Sequence, residues 1–489
     1  MRATIQVNAR ERLGKISPLI YGVMFENCGR CMYDGLWVGE DSTVPNWRGV
    51  RKDVMELLRA FSCPIIRWPG GTPSETYHWR EGVGPRNKRP KSLLGGSVMN
   101  SPAETHAFGT DEYMHLSENL GFAPYLCANV GTGTAEEAAN WVEYCNAAGD
   151  TSYAALRATN GHPEPYRVQH WGIGNESYFW HDAPAYARIV RHYAKLMKLI
   201  DPTIALVAAG KADAQDWNRT LLTESGDAFD YISIHVFYGT RQGMPAGADY
   251  ESLVASPLDV ERRVRELEAL IRQATGTERI RIMIDEWAVW NAEARPQEGA
   301  EQNLSLQDAL FAAGMFHMFH RTRDRVDVGI LANLMNSTNA VTTRGGRLLV
   351  SPVYHALALY AKHAGTTALD CVTEVDSYRT AAIRAEVPYL DCSAALDESN
   401  GRLALAVVNR NRQQDITSDV SIEGRRVGRQ ARVFEINADN ETATNDWDAP
   451  ERVVTVQRDL PGTGEHFSYR YPAHSVTLLE IPLQDGKGE

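Results

Sequence analysis

Through its first 360 residues, the chain repeats one pattern, a short apolar run followed by a longer segment with apolar residues every three or four positions. Short apolar runs predict buried strands, and the wider spacing predicts amphipathic helices. Eight runs fit a strand, at residues 19–25, 64–68, 123–129, 168–174, 204–209, 231–237, 280–286 and 328–334. Strands that alternate with helices favour a (β/α)8 TIM barrel, and a doubly wound open sheet is the competing interpretation.

Two of the intervening helices are well marked. Asp182 can cap the first, Pro184 suits its first turn, and the pair Asp201-Pro202 ends it. One apolar face of this helix is formed by Tyr186, Ile189, Val190, Tyr193, Met197 and Ile200. The second helix is predicted to run from about residue 257 to residue 274.

After about residue 360 the pattern changes, because strand-like runs follow one another without helices. The predicted strands are 380–387, 402–408, 418–422, 430–435, 452–457, 466–471 and 475–481. Such a series predicts an antiparallel, jelly-roll-like β-sandwich. The alternating segment 3–8 precedes the barrel and needs a partner, so we expect it to join this sandwich. The predicted domains are therefore an N-terminal strand (1–15), a catalytic barrel (16–360) and a sandwich (361–489).

Charge and composition narrow the classes of function. The formal net charge is −12, whereas binding of nucleic acid requires clustered Lys and Arg. No run of about 18 apolar residues is present, so we expect no membrane span. The N-terminal sequence MRATIQVNARERLGK lacks the apolar core of a signal peptide, and the seven cysteines in 489 residues do not form a disulfide framework. These features predict a cytoplasmic protein.

Two motifs imitate ligand sites without completing them. Cys28 and Cys31 form a CxxC, but no second pair of ligands stands near them in sequence. The segment GTGTAE at 131–136 resembles a dinucleotide fingerprint, but Glu136 occupies the position of its third glycine. We therefore expect neither a metal nor a cofactor.

The strongest candidate chemistry lies at the ends of two predicted strands. The apolar runs 168–173 and 280–284 are followed by Glu176 and Glu286, and each glutamate has aromatic neighbours. Parallel barrels present catalytic groups at the C-terminal ends of their strands. Because glycoside hydrolysis requires a pair of carboxyl groups, this pair indicates that reaction.

Other predicted strand ends bring further polar groups to the same rim. These are Glu26, Arg67, Asn175 and His235. A retaining mechanism needs a protonated acid with a raised pKa and an ionised nucleophile. Arg67 is a candidate for keeping the nucleophile ionised, and Asn175 is a candidate for binding the sugar 2-hydroxyl.

The chain resembles glycoside hydrolase family 51, a group best known for intracellular α-L-arabinofuranosidases. The resemblance covers nearly the whole length, and it rests on ISPLIYGVMFENCGRCMYDGLWVGEDS, IIRWPGG with YHWREGVGPR, NVGTGTAEEAANWVEYCN, EPYRVQHWGIGNE, DYISIHVFY, IDEWAVW and PAHSVTLLEI. It implies that Glu176 is the general acid/base and Glu286 the nucleophile. It also implies net retention, no metal, a barrel with a C-terminal β-sandwich and, frequently, a hexamer. The substrate-binding residues expected on these grounds are Glu26, Thr72, Arg67, Asn175, His235, Tyr238 and Trp287.

The chain departs from the family pattern at three places. Many relatives have Asn or Cys and then Phe after RWPGG, where this chain has Thr72-Pro73-Ser74. Many also have Tyr two residues after the strand-six histidine, where this chain has Phe237 followed by Tyr238. Either Tyr238 takes that role, or the nucleophile lacks the hydrogen bond. No equivalent of a ligand-contacting Gln is evident near strand eight.

The leading functional hypothesis is a retaining, exo-acting α-L-arabinofuranosidase that acts on arabinose-containing oligosaccharides. One alternative keeps the two glutamates and changes the sugar, giving an endo-β-glucanase or a β-xylosidase. Another is a non-catalytic carbohydrate-binding protein.

Overall fold

The computed structural model describes residues 1–94, 99–243, 249–380, 383 and 385–484. Eight parallel strands form a closed barrel, in which every strand pairs with its neighbours in chain order and the last pairs with the first. Ile330 lies beside Gly22 and Leu331 beside Val23, which closes the ring and excludes the open sheet. The strands are Gly22–Met24, Ile65–Trp68, Ala123–Ala128, His170–Ile173, Ala205–Ala209, Tyr231–Tyr238, Arg281–Val289 and Val326–Leu331. The barrel prediction is confirmed.

The α-helices that accompany these strands are Lys52–Ala60, Thr110–Leu120, Ala135–Asn146, Ser152–Thr159, Ala183–Ile200, Gln215–Ser225, Tyr250–Thr275, Leu306–Arg321 and Pro352–His363. Asp182 caps the fifth helix as predicted, because its carboxylate accepts a hydrogen bond from the Ala185 amide at 2.8 Å. The helix expected to begin near residue 257 begins at Tyr250 instead, with Pro257 in its interior. Proline has no N–H for the Leu253 carbonyl, and the Ser256 hydroxyl donates to that carbonyl at 2.7 Å in its place.

The C-terminal part of the chain forms a nine-stranded sheet. In spatial order its strands are Thr455–Pro461, Gln430–Ile436, Ser475–Pro482, Arg402–Asn409, Leu390–Asp397, Thr367–Glu374, Arg2–Lys15, Ile416–Glu423 and His466–Tyr471. The N-terminal strand lies inside this sheet, antiparallel to Thr367–Glu374 and parallel to Ile416–Glu423. Its alternating residues Ala3, Ile5, Val7 and Ala9 are buried in the core of the sheet.

Two strands of this sheet, Thr367–Glu374 and Leu390–Asp397, were not predicted from the sequence. Three residues of the predicted strand 380–387, at 381, 382 and 384, lie outside the described residues. The described residues also form three two-stranded antiparallel pairs, namely Asn46–Trp47 with Val50–Arg51, Val341–Arg344 with Arg347–Val350, and Ser377–Tyr378 with Val387–Pro388.

The sheet packs on the barrel through strands that are apolar on both faces. In Arg402–Asn409, Leu403, Leu405 and Val407 face the core of the sheet, whereas Ala406 and Val408 join the barrel core. The helices Leu306–Arg321 and Pro352–His363 provide the barrel side of this contact. Among the described residues, no helix combines the length and apolar character needed to cross a membrane.

Candidate active site

The barrel brings the predicted polar groups together at the C-terminal ends of its strands. His235 on the sixth strand lies directly beside Glu286 on the seventh. Four residues of the seventh strand, Met283 to Glu286, lie opposite only three residues of the sixth, Ser233 to His235. This irregularity places the consecutive acids Asp285 and Glu286 near the same histidine, although neighbouring residues of a regular strand face opposite sides.

Arg67 is the buried cation of the site, with 1% of its side chain exposed. Its guanidinium donates to Glu286 Oε1 at 2.6 Å and to Asn175 Oδ1 at 2.7 Å. It also lies 3.5 Å from a carboxylate oxygen of Asp285. A fully buried guanidinium requires such partners, and it stabilises the ionised form of the carboxylates that surround it.

His235 connects the two predicted catalytic glutamates. Its Nδ1 lies 3.1 Å from Glu176 Oε1 and 3.5 Å from Glu286 Oε2. These two oxygens are therefore separated by at most the sum of the two distances, about 6.6 Å. Carboxyl groups stand about 5–5.5 Å apart in retaining glycosidases and about 6.5–9.5 Å apart in inverting ones. This limit is compatible with the retaining spacing.

Burial and His235 set the proton balance of this cluster. Burial opposes a charge on the imidazole, but the surrounding carboxylates outweigh it and raise the pKa of His235 to about 10. Burial raises the pKa of Glu286 to about 7, against the opposing effect of His235 and Arg67. Burial also acts on Glu176, but hydrogen bonds from His235 and Tyr178 lower its pKa. In the free site at neutral pH, a proton is therefore held on His235, one hydrogen bond from Glu176.

The loop after the second strand reaches the floor of the site. The amide of Gly71 donates to Glu26 Oε2 at 3.0 Å, and the Asn333 amide group donates to Glu26 Oε1 at 2.8 Å. A Cβ atom on Gly71 would lie 2.8 Å from Glu286 Oε1 and 2.9 Å from Glu26 Oε2, so a glycine is required for this close approach. Glu26 is thereby fixed beside Glu286, and its burial raises its pKa.

Two residues hold Glu176 in position, and the sequence reasoning assigned neither of them a role. Buried Glu75 accepts hydrogen bonds from the Asn175 amide at 2.9 Å, the Ser177 hydroxyl at 2.8 Å and the Val130 amide at 3.1 Å. Tyr178 donates to Glu176 Oε1 at 2.6 Å. Tyr178 stood among the noted aromatic neighbours of Glu176, whereas Glu75 lies in a loop where periodicity gives no signal.

Two expected substrate-binding residues lie outside the cluster, and these expectations were wrong. Tyr238 follows Phe237 on the strand, faces outward and donates to Asp259 at 2.8 Å. Trp287 follows Glu286 and is 1% exposed. It packs against Phe311, Phe316 and Phe319 of the helix outside the barrel. The hydrogen bond that many relatives make to the nucleophile is therefore not supplied by Tyr238.

The pocket at this end of the barrel has a volume of about 300 Å³. It is lined by Met24, Glu26, Gly71, Thr72, Met99, Glu176, Phe179, Phe237, Arg241, Glu286, Trp290, Ala332, Asn333 and Thr338. Thr72, Glu176 and Phe179 also border an outer groove of about 400 Å³, to which Asn175 and Trp180 contribute. Phe179 is 73% and Trp180 42% exposed, so the groove offers aromatic surface to a ligand.

A wider cleft of about 600 Å³ lies elsewhere, between the loops that contain Trp37 and Arg86. Its acids are already engaged, since Glu40 and Glu112 both pair with Arg86. Across the described parts of the chain, no group of three or more His, Cys, Asp or Glu side chains is arranged to hold a metal ion.

Comparison with known proteins gives a consistent result along the chain. Residues 57–252 match the family model described as "Alpha-L-arabinofuranosidase 1 domain", and residues 285–475 match "Alpha-L-arabinofuranosidase C-terminal domain". A probable α-L-arabinofuranosidase C of Aspergillus clavatus is 34% identical, over 97% of this chain and 96% of the relative. An intracellular exo-α-L-arabinofuranosidase of Bacteroides ovatus is 30% identical, over 98% and 95%.

Solved structures agree with this result. The arabinose complex of the α-L-arabinofuranosidase from Thermotoga maritima superimposes with a TM-score of 0.90 at 33% identity, covering 98% of this chain and 100% of that one. The family 51 enzyme from Thermotoga petrophila gives a TM-score of 0.89 at 33% identity, covering 98% and 99%. The chain therefore belongs to the α-L-arabinofuranosidases of glycoside hydrolase family 51.

Proposed function

We propose that this protein is a retaining, exo-acting α-L-arabinofuranosidase, in which Glu286 is the nucleophile and Glu176 the general acid/base. The observation that carries the proposal is the bridge from His235 to both glutamates, which holds them across one small pocket. The exposed fractions support the assignment of roles. Glu176 is 22% exposed and faces the outer groove, where a leaving group and water arrive, whereas Glu286 is only 9% exposed and is held by Arg67.

In the first step, ionised Glu286 attacks the anomeric carbon and forms a glycosyl ester. Glu176 gives its proton to the departing glycosidic oxygen, so the leaving group departs as a neutral alcohol. Because His235 Nδ1 lies 3.1 Å from Glu176, the proton held on the imidazole can pass to this carboxylate before the step. The Arg67 guanidinium favours the ionised form of Glu286, against the burial that raises the pKa of this group.

In the second step, Glu176 accepts a proton from water, and the resulting hydroxide attacks the anomeric carbon. The ester bond breaks, Glu286 leaves as a carboxylate, and arabinose is released with its original configuration. Asn175 accepts from Arg67 through Oδ1, so its amide NH2 group is the part available to the sugar 2-hydroxyl. Glu26, held by Gly71 and Asn333, is positioned to accept hydrogen bonds from other hydroxyls of the same sugar.

The substrates in this proposal are arabinose-containing oligosaccharides. A pocket of about 300 Å³ suits one terminal sugar, and the aromatic groove beside Phe179 and Trp180 suits the unit that is left behind. The relative from Bacteroides ovatus bears the name of an exo-acting, intracellular enzyme. We extend both properties to this chain and place it in the cytoplasm.

We also propose a homo-oligomer, with a hexamer as the expected size. Light scattering on the purified protein tests this directly, since a hexamer has six times the chain mass of 54.4 kDa. A monomeric mass would contradict it.

The proposed reaction is tested by initial rates on nitrophenyl α-L-arabinofuranoside, β-D-xyloside, β-D-glucoside and β-D-cellobioside. We expect a strong preference for the arabinofuranoside, whereas activity confined to the other three would support the glucanase or xylosidase alternative.

Glu286→Ala should abolish turnover, and retained activity would contradict the nucleophile assignment. Glu176→Ala should slow substrates with poor leaving groups most, because an acid matters least for a good leaving group. Proton NMR of the first-formed sugar decides between retention and inversion.

A further inference from the structure

Tyr125 lies inside the barrel, close to the carboxylates of the site. It belongs to the third strand, is 1% exposed and packs among interior side chains such as Met283. Its neighbour in strand register is Arg67, and the guanidinium carbon of Arg67 lies 5.6 Å from the centre of the tyrosine ring. The hydroxyl of Tyr125 donates to Asp285 Oδ2 at 2.7 Å. Tyr125 is therefore a buried donor directed at the acid next to Glu286 in sequence.

The two carboxylate oxygens of Asp285 have different partners. Oδ2 accepts from Tyr125 and lies 3.5 Å from the Arg67 guanidinium, whereas Oδ1 lies 3.2 Å from His235 Nε2. Burial opposes the charge on Asp285, but Arg67, His235 and the Tyr125 hydroxyl lower its pKa to about 2. Asp285 is thus an anion near neutral pH. Because the tyrosine and the arginine hold Oδ2, the carboxylate is fixed with Oδ1 toward the imidazole.

The orientation of the His235 ring decides which proton it can give away. Nε2 faces Asp285, whereas Nδ1 lies 3.1 Å from Glu176 and 3.5 Å from Glu286. These carboxylates come from the ends of the fourth and seventh strands, and Arg67 of the second strand is bonded to Glu286. A hydrogen bond at one ring nitrogen fixes the protonation of the other. With the Nε2 proton directed at Asp285, the proton on Nδ1 is the one available for transfer.

We infer that Tyr125 is a positioning residue, which acts through Asp285 to hold the His235 ring with Nδ1 presented to Glu176. The inference rests on the proposed function, because it explains how the proposed general acid receives its proton. In the first step the Nδ1 proton moves to Glu176 and then to the leaving glycosidic oxygen, and His235 becomes neutral. In the second step Glu176 takes a proton from water and returns it to Nδ1, so the site ends in its starting state.

Tyr125→Phe tests this role, because it keeps the ring beside Arg67 and removes only the hydroxyl. The readout is kcat/KM on two aryl α-L-arabinofuranosides, one with a dinitrophenol and one with a methoxyphenol as leaving group. An acid matters most for the poor leaving group, so kcat/KM should fall by about tenfold on the methoxyphenyl substrate, the scale of one hydrogen bond to a charged group. On the dinitrophenyl substrate it should stay within about twofold. Equal losses on both would overturn the inference, since a general disturbance of the pocket does not depend on the leaving group.

A double-mutant comparison separates action through His235 from a direct effect on the pocket. In the His235→Gln background, Tyr125→Phe should cause no further loss on the methoxyphenyl substrate, because no imidazole is left to orient. A further loss there would also overturn the inference. Tyr144→Phe is the matched control, since Tyr144 is fully buried and its hydroxyl donates to Asp111 at 2.6 Å, outside the pocket. This variant should leave the ratio of the two kcat/KM values unchanged.

Failure of the proposed function would look different, because the wild type would then hydrolyse neither substrate. In that case, nitrogen NMR of protein labelled in its histidine rings tests the positioning alone. The ring signals of His235 are identified by their absence in His235→Gln. They should move in Tyr125→Phe and stay in place in Tyr144→Phe, and unchanged His235 signals in Tyr125→Phe would overturn the inference.

Discussion

At the scale of single residues, the protonation state of Glu176 depends on the few groups that contact its carboxylate. Glu176 has two hydrogen-bond donors, Tyr178 and His235, and both stabilise its ionised form. An acid catalyst needs the opposite state, so these two contacts determine the pH range over which Glu176 can work. Each contact can be removed separately by substitution, and the direction of the resulting shift in the pH profile of kcat/KM can be predicted for each.

Tyr178→Phe removes the 2.6 Å hydrogen bond to Glu176 and should raise the pKa of that carboxyl group. Glu176 then stays protonated to higher pH, so the alkaline limb of the kcat/KM profile should move upward by about one pH unit, as expected for a charged hydrogen bond. Tyr238→Phe is the control, because its hydroxyl donates to Asp259 and should not affect the profile. A downward shift in Tyr178→Phe, or equal shifts in both variants, would contradict this account.

His235→Gln removes the cation that lowers the pKa of Glu286. The nucleophile then ionises at higher pH, and the acidic limb of kcat/KM should move upward. The rate at neutral pH should also fall, by about tenfold or more, because Glu176 loses its nearby proton source. His78→Gln, which alters a partly exposed pair with Glu137, should leave the profile unchanged. An acidic limb that stays in place in His235→Gln would argue against this role.

At the scale of elements, strands deliver the proposed catalytic groups and loops orient them. The carboxylate of Glu75, in the loop after the second strand, accepts hydrogen bonds from the loops after the third and fourth strands. This carboxylate thus joins three loops that are far apart in sequence. Glu75 therefore orients Glu176 through the loops, because none of these hydrogen bonds is made to the carboxylate of Glu176 or of Glu286.

Glu75→Gln should therefore disturb the loop that carries Glu176. Glutamine presents an NH2 group to one of the donors that the carboxylate now satisfies, so the free energy of unfolding should fall by about 1–3 kcal/mol. The kcat value should fall for good and poor leaving groups alike, since the whole loop is displaced. Glu136→Gln, at an exposed position, is the control. Urea unfolding and rates on two aryl arabinofuranosides measure both effects, and a full kcat in Glu75→Gln would refute the positioning role.

The elements also show why part of the site could be predicted from sequence. The apolar runs that precede Glu176 and Glu286 revealed both strands and the carboxylates that follow them. Simple alternation along a strand would also have placed Trp287 and Tyr238 on the outer side. Asp285 is different, because it reaches the site through an irregularity in strand pairing that periodicity does not reveal. Glu75 depends on loop geometry that forms only after distant segments meet.

At the scale of the whole molecule, the sheet is attached to the barrel by buried charges as well as by apolar contacts. Asp391 on the sheet accepts from Arg321 of the barrel helix at 2.8 Å and from Arg410 at 2.5 Å. Arg410 also donates to the Val254 carbonyl of a second barrel helix at 3.1 Å. Burial opposes ionisation of Asp391, but the two guanidinium groups keep its pKa well below the usual range.

Asp391→Asn should destabilise the protein by about 3–5 kcal/mol, because it leaves buried Arg410 without its anion and leaves Arg321 with Glu261 alone. Glu298→Gln breaks an exposed pair with Arg295 and should change stability by about 0.5 kcal/mol or less. Urea-unfolding midpoints measure both, and similar losses in the two variants would show that the Asp391 cluster does not hold the sheet to the barrel.

The position of the first strand has a consequence for synthesis of the chain. Residues 2–15 are translated before the barrel, whereas their partners at 367–374 and 416–423 emerge from the ribosome only after the entire barrel sequence. This alternating apolar segment therefore has no strand partner during most of translation. An unpaired strand edge favours aggregation. The charged residues of its second half, RERLGK at 10–15, are of the kind that limits such pairing. Pairing of this N-terminal strand with both of its neighbours is thus completed only after the barrel sequence has been made.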